Sequence, residues 1–385
     1  RAIILVADGV GCGGAEDAAA YGDLGANTLG NLARQQGGLR LPNLEALGLG
    51  HVTDIPGVAR VAHPRGAVGV MAEASAGKDT ITGHWEMAGL LVHEAMPTFP
   101  QGFPAEILDD LRRISGRGIL GNKTASGTAI IEELGPEHLR TGALIVYTSA
   151  DSVLQIAAHG DVVPVPELHA VCEKARTLAD RHRIGRVIAR PFVGTPGAFK
   201  RTYDRRDWPL VPPEPTLLDR LVEAGTDVVG VGKIPDIFAG RGVTRSVHTE
   251  GNADGMRATL DELARLERGL LFVNLVDFDM LYGHRNDGPG FARALAELDA
   301  FLPALQARLG GRDAVFISAD HGNDPTTPGT DHTRERVPIL AFGPAVRPAE
   351  LGVRTSFCDL GQTVACGLGL PPLARGHSFL DAITP

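Results

Sequence analysis

The sequence predicts an α/β protein: a core with a mainly parallel sheet, helices on both of its faces, and an inserted α/β cap. Three observations lead there. Short β-branched, apolar runs alternate with amphipathic helical stretches toward both ends of the chain. Several runs stop directly at Asp or His, where open α/β sheets gather their functional groups. Between two Pro-rich joints, Pro97-Thr98-Phe99-Pro100 and Pro212-Pro213-Glu214-Pro215, the rhythm breaks.

Taken in order, residues 2–7 read as a strand buried on both faces, because no polar residue interrupts the run. A helix is expected over 28–36 with Asn27 as its N-cap, then a strand over 67–71 before the polar loop 73–79. Residues 144–148 and 186–190 are strand candidates. Residues 217–224 form a helix that Gly225 stops, and 227–231 the next strand. Apolar residues at helical spacing mark 256–266, followed by a strand over 270–276. A long amphipathic helix over 291–309 leads to the strand 314–317. The joints set the expected boundaries, with residues 96–213 as the cap and 1–95 with 214–385 as a discontinuous core. Asp8 and Thr80 must reach residues 279–332 across the insertion.

A chain of 385 residues can bury two cores. With 43% hydrophobic and 22% charged residues it reads as an ordinary soluble enzyme. A net charge of −9 argues against a nucleic-acid partner. No apolar run is long enough to span a membrane, and no signal peptide is visible. Cys12, Cys172, Cys358 and Cys366 include no CxxC pair, so neither a zinc knuckle nor disulfides are expected, and a cytoplasmic location fits. Nothing points to an obligate protein partner.

Three strand ends carry metal-ligand chemistry. Asp8 follows the first strand, Asp279 and His284 follow the strand 270–276, and Asp320-His321 follow 314–317, with His332 eleven residues on. Carboxylate and imidazole together suit a hard-to-borderline divalent cation. One Asp-His pair after a strand is usually an ordinary turn, but three sets would need three coincidences. Gly9-Val10-Gly11-Cys12-Gly13-Gly14 fits GxGxxG formally. No helix pattern begins at Gly14, and no acidic strand end follows about twenty residues on, so a dinucleotide site is not expected. The run Gly77-Lys78-Asp79-Thr80-Ile81-Thr82-Gly83-His84-Trp85-Glu86 sets two hydroxyls at a helix start, where amides also receive phosphate. Beside divalent cations a threonine hydroxyl becomes a competent nucleophile.

The motifs VADGVG, GKDTITGHWEMAG, YTSADSVLQIAAH, RPFVGTPGAFKRT, VGKIPDIFAGRGV, NLVDFDMLYGHRND and SADHGNDPTTPGTDHTRERVP, in that order over nearly the whole chain, resemble phosphopentomutases of the alkaline phosphatase superfamily. The resemblance implies an alkaline-phosphatase-like core and interconversion of ribose 1-phosphate and ribose 5-phosphate, and of the 2-deoxy pair. It implies two Mn²⁺ (or other divalent cations), pentose phosphates as small-molecule partners, and a bisphosphorylated sugar as activator. Thr80 then corresponds to the phosphorylated residue. Asp8, Asp320 and His321 correspond to ligands of one metal, and Asp279, His284 and His332 to ligands of the other. Ser149 and Asp151 correspond to sugar-hydroxyl contacts. Arg190, Arg201, Arg205 and Lys233 are candidates for the distal phosphate, with Arg201 and Arg205 not separable by sequence. Gly9, where many relatives carry serine, leans toward the alternative of a related metal-dependent phosphatase or cofactor-independent phosphoglycerate mutase. Thr80 followed by His84-Trp85-Glu86 opposes that alternative, and the absence of Cys-x-Pro-x-Arg opposes a sulfatase.

Overall fold

The computed structural model describes residues 1–149 and 151–384. Its strands are β1 (Ala2–Ala7), β2 (Ala67–Met71), β3 (Ile119–Thr124), β4 (Leu144–Thr148), β5 (Val153–His159), β6 (Arg186–Val193), β7 (Lys200–Arg201), β8 (Arg206–Pro209), β9 (Asp227–Val231), β10 (Arg245–Val247), β11 (Gly269–Leu275), β12 (Ala314–Ser318), β13 (Val337–Phe342) and β14 (Ala349–Arg354). They divide between two compact units, Arg1–Ala95 together with Pro212 onward, and Met96–Val211.

The first unit holds an eight-stranded sheet in the order β10-β9-β11-β1-β12-β13-β2-β14. Only β13 runs against the rest, pairing antiparallel with β12 and β2. Every residue of β1 and β11 is buried, as expected for central strands covered on both faces. Parallel registry pairs Ala7 with Leu275 and Val6 with Ser318, so the carboxyl ends of β1, β11 and β12 are level. Residues just beyond those ends must therefore converge, and Asp8, Asp279 and Asp320 all lie there.

Two helices start earlier than their apolar spacing implies. The long one is Gly288–Gln306, not 291–309, because Asp287 accepts from the Gly290 amide as N-cap and Pro289 occupies the first turn. The helix expected over 256–266 is Asn252–Leu263. Cys358 opens the helix Cys358–Gly367, and all four cysteines are free thiols.

The second unit is built on the order β3-β4-β5-β6-β7, with β8 also pairing β6. Period-two alternation divides β4 between its faces. Leu144 and Val146 join Ile107, Leu111 and Leu168 from the helices Ala105–Ser115 and Val165–Arg181. Ile145 and Tyr147 join Ile130, Ile131 and Phe192 beside the helix Gly127–Thr141. Among the described residues, no helix is long and apolar enough to cross a membrane.

Candidate metal centre

Backbone geometry forces the strand ends into a cluster. Gly9 turns the chain sharply after Asp8 at φ +77°, a conformation an L side chain resists, and a Cβ there would come within 2.9 Å of Asn323 Cβ. The turn lets the Gly9 amide donate to Asp320 Oδ1 at 3.1 Å, while its carbonyl accepts from the Asn323 amide. After β11 a single π turn, Phe278–Tyr282, buries Asp279 and leaves Met280 and Leu281 exposed. Such π turns recur at functional sites.

Two groups of potential ligand atoms result, Asp8 with Asp320 and His321, and Asp279 with His321 and His332. His321 Nε2 lies 3.4 Å from both Asp8 Oδ1 and Asp320 Oδ2. His332 Nε2 and His284 Nε2 each lie 3.2 Å from an Asp279 oxygen and 3.1 Å from one another. The structure thus brings all six expected ligands together, with His321 common to both groups.

The chemistry of this set fits divalent cations. Asp8 Oδ1 and Asp320 Oδ2 are buried with no hydrogen-bond partner, a costly state unless a cation takes their lone pairs. Backbone carbonyls of Thr330 and Gly322 accept from Nδ1 of His284 and His321, presenting the Nε2 lone pairs to the site. Burial raises the Asp8 pKa, and the Asp320 and Asp279 charges raise it further. Burial would lower that of His321, yet Asp320, Asp8 and Asp279 hold it well above the imidazole range. The site demands positive charge.

Thr80 opens the helix Thr80–Met87, whose N-cap is Asp79. Its Oγ1 lies 3.2 Å from His321 Nε2, at the edge of the cluster. Thr82 is fully buried, and its hydroxyl donates to Asp79 Oδ2 at 2.6 Å. Of the two hydroxyls in the loop, only that of Thr80 faces the ligands. Gly83 explains how the helix comes so near: a Cβ there would meet the Asp320 carbonyl oxygen at 2.0 Å.

Several residues at the centre were not assigned from sequence. His84 Nδ1 donates to the Thr80 carbonyl at 2.8 Å and lies 3.1 Å from Asp320 Oδ2, tying the turn that carries Thr80 to Asp320. Asn274 donates to Asp8 Oδ2 and Asn323 to Asp279 Oδ1. Each of these two amides sits within a strand or loop motif read only for its acids. Arg334, almost wholly buried, binds Glu73, Asp17 and the Gly77 carbonyl, pinning the loop that leads to Thr80.

Glu335 locks the glycine-rich loop after β1. Its carboxylate accepts from the amides of Gly13 and Thr28 and from the hydroxyls of Thr28 and Thr333, all at 2.7–2.9 Å. Burial nevertheless pushes its pKa up to about 7 from 4.5. Between those values the folded protein keeps a proton that the unfolded chain has lost, so stability falls as pH rises through the window. The limiting loss is about 3 kcal/mol. Urea midpoints from pH 4.5 to 7.5 should therefore decline more steeply in the parent protein than in Glu335→Gln. Parallel profiles would show that Glu335 is ionised throughout.

The other candidates are placed by their own elements. Lys233 follows β9, preceding the short helix Ile234–Ile237. Ser149 and Asp151 lie between β4 and β5, with Asp151 3.6 Å from Arg186. Arg190 is on β6 and Arg201 on β7, and Arg205 is paired through two nitrogens with Asp207.

Residues 1–372 match the metalloenzyme superfamily. The phosphopentomutase of Anaeromyxobacter dehalogenans (strain 2CP-C) is 59% identical over 385 residues, covering 100% of this chain and 98% of that one. The phosphopentomutase of Caldanaerobacter subterraneus subsp. tengcongensis is 53% identical over 382 residues, covering 99% and 97%. Among solved structures, Leishmania mexicana phosphoglycerate mutase superposes with a TM-score of 0.50 at 13% identity, covering 98% of this chain and 97% of that one. That last likeness is one of fold.

Proposed function

The chain belongs to the phosphopentomutase family of the metalloenzyme superfamily, and on that premise we propose that Thr80 carries the phosphoryl group as ribose 1-phosphate and ribose 5-phosphate interconvert. The 2-deoxyribose pair is proposed to react in the same way. The observation that carries this reading is the Thr80 hydroxyl, 3.2 Å from His321 Nε2 beside two acidic-imidazole groups.

In the proposed cycle, the free hydroxyl of a bound pentose monophosphate attacks phosphorus on phospho-Thr80. A new sugar O–P bond forms as the Oγ1–P bond breaks, and the proton lost by the attacking hydroxyl is taken up in balance by the Thr80 Oγ1 released from phosphorus. The resulting 1,5-bisphosphate turns end for end, and Thr80 Oγ1 accepts the other phosphoryl group. Asp8, Asp320 and His321 would hold one divalent cation, and Asp279, His284 and His332 the other. Bound there, Mn²⁺ would lower the Thr80 hydroxyl pKa and offset charge on the transferring group. His84 keeps the Thr80 turn fixed against Asp320 through both transfers. Ser149 and Asp151 are proposed to contact the sugar, and Arg190, Arg201, Arg205 and Lys233 the distal phosphate, for which guanidinium is well suited. A bisphosphorylated sugar would prime Thr80.

Removing metal tests the mechanism. Activity should vanish with EDTA and return with Mn²⁺ more fully than with Ca²⁺, which prefers all-oxygen shells to imidazole. Unchanged turnover in protein shown by elemental analysis to be metal-free would exclude this mechanism. A second test separates phosphoryl transfer from sugar-phosphate recognition. Arg201→Ala and Lys233→Ala should still accept phosphate on Thr80 yet turn over slowly and depend more on added bisphosphate. Loss of Thr80 phosphorylation with unchanged activator dependence would contradict that division.

A further inference from the structure

Strand registry levels Asp8, Asp279 and Asp320, but it does not reach Thr80 or His332. Thr80 follows the irregular segment between β2 and its helix, and His332 lies in the long connection from β12 to β13. A third irregular segment, residues 15–27 after the glycine run, fastens these two together. Arg334, two residues beyond His332, donates to Asp17 Oδ1 at 3.1 Å and Oδ2 at 2.9 Å. It also donates to the Gly77 carbonyl at 2.6 Å and to the Glu73 side chain and carbonyl at 2.7 Å. Every N–H of its fork is therefore committed. Its guanidinium carbon lies 4.8 Å over the Tyr21 ring, and the Tyr21 hydroxyl donates to the Ala76 carbonyl at 2.8 Å. Asp23 Oδ2 accepts from Lys78 Nζ at 2.9 Å and from the Arg334 amide at 2.8 Å. Buried ion pairs return little net stability for the desolvation they cost, whereas a planar guanidinium fixes the geometry of the groups it binds.

We propose that Arg334, together with Asp17, Tyr21 and Asp23 of the segment 15–27, is a set of positioning residues that fixes the separation of Thr80 from His332 for phosphoryl transfer. This rests on the reading of Thr80 as the phosphorylated residue. None of the four touches the reacting atoms. They act through the backbone of residues 73–78, whose carbonyls they hold, and Thr80 is two residues further on. The same loop is held from its other side, since the amides of Ala74 and Ser75 donate to Glu86 and that of Ala76 to the Val92 carbonyl. Misplacing a reacting group by about 1 Å costs roughly 10²-fold in rate, so loosening this clamp should slow transfer and leave substrate affinity alone.

The test combines steady-state kinetics and Thr80 labelling on the full-length Mn²⁺ enzyme with hydrogen exchange of residues 73–80 in the metal-free protein. Arg334→Lys keeps the charge but not the fork. It should lower kcat about 10²-fold, with KM for ribose 5-phosphate within about threefold of the parent and Mn²⁺ content unchanged. Exchange of the Ala74, Ser75 and Ala76 amides should quicken about tenfold. Tyr21→Phe keeps the ring under Arg334 and deletes only the bond to Ala76, so kcat should fall by a factor of about three to ten, again with KM unchanged. A lowered urea midpoint with parent kcat in either variant would make the clamp structural and overturn the inference. Raised KM with parent kcat would overturn it too, by placing these residues in substrate binding. If Arg334→Lys does not fold, Tyr21→Phe decides: parent kcat and parent exchange there contradict the inference. Absence of label from Thr80 in the parent enzyme would remove the reading of Thr80 and the inference with it. Label on Thr80 that forms and chases at the parent rate in both variants would remove the inference alone.

Discussion

Thr80→Ala should abolish interconversion of ribose 1-phosphate and ribose 5-phosphate, with kcat reduced by a factor of roughly 10⁴ or more, as when a covalent nucleophile is deleted. The variant should still fold, since Thr80 Oγ1 has its only described side-chain contact with His321 and the helix cap belongs to Asp79. Thr82→Ala should behave in the opposite way. Its hydroxyl is buried and bonded to Asp79, so its loss should cost about 1 kcal/mol of stability while kcat stays within about tenfold of the parent. Thr80→Ser should recover part of the activity because it restores the oxygen. Steady-state rates and urea midpoints on the three variants check the set. Full activity in Thr80→Ala, or phosphopeptide mapping that finds phosphate on Thr82, would reverse the roles.

Asp320→Asn should be nearly as damaging, with a loss of about 10³-fold or more in phosphoryl transfer. Both carboxylate oxygens are committed. Oδ1 accepts from the Gly9 amide, and the buried Oδ2 lies 3.1 Å from His84 Nδ1 and 3.4 Å from His321 Nε2. Burial would raise the Asp320 pKa, but the His321 and His84 charges and the Gly9 amide hold it down at about 2, so it is ionised at any working pH. Asparagine removes that charge and puts either a neutral oxygen or an N–H where a cation would sit. Metal content should fall along with Thr80 phosphorylation, and excess Mn²⁺ should recover little of either. Parent-level metal content and phosphorylation in Asp320→Asn would remove Asp320 from the centre.

Much of the first unit could be read from its strands. The apolar run of β1 is unbroken, that of β11 is broken only by Asn274, and β1, β11 and β12 are each followed within two residues by an acid, so both strand and functional edge are visible in one pattern. The Asp and His candidates followed from that edge, and the structure puts all six side by side. Residues that orient them carried no such signal. His84 is reached through an Asp79-capped helix turn, and Asn274 lies inside an apolar strand where an amide is easily passed over. Strand β13 begins Val337-Pro338 and runs antiparallel between β12 and β2, against the parallel rhythm of its neighbours. The second unit was least legible. β3 reads Ile-Leu-Gly-Asn-Lys-Thr, too polar and glycine-interrupted for a period-two argument, and β7 has two residues.

The most direct test of the central claim is to label the enzyme from a bisphosphorylated pentose carrying ³²P, quench it, and map the labelled peptide before and after a chase with unlabelled ribose 5-phosphate. Label should reside on Thr80 alone and pass into pentose phosphate at least as fast as steady-state turnover. A label on any other residue, or one on Thr80 that does not chase at that rate, would contradict a phospho-Thr80 mutase cycle.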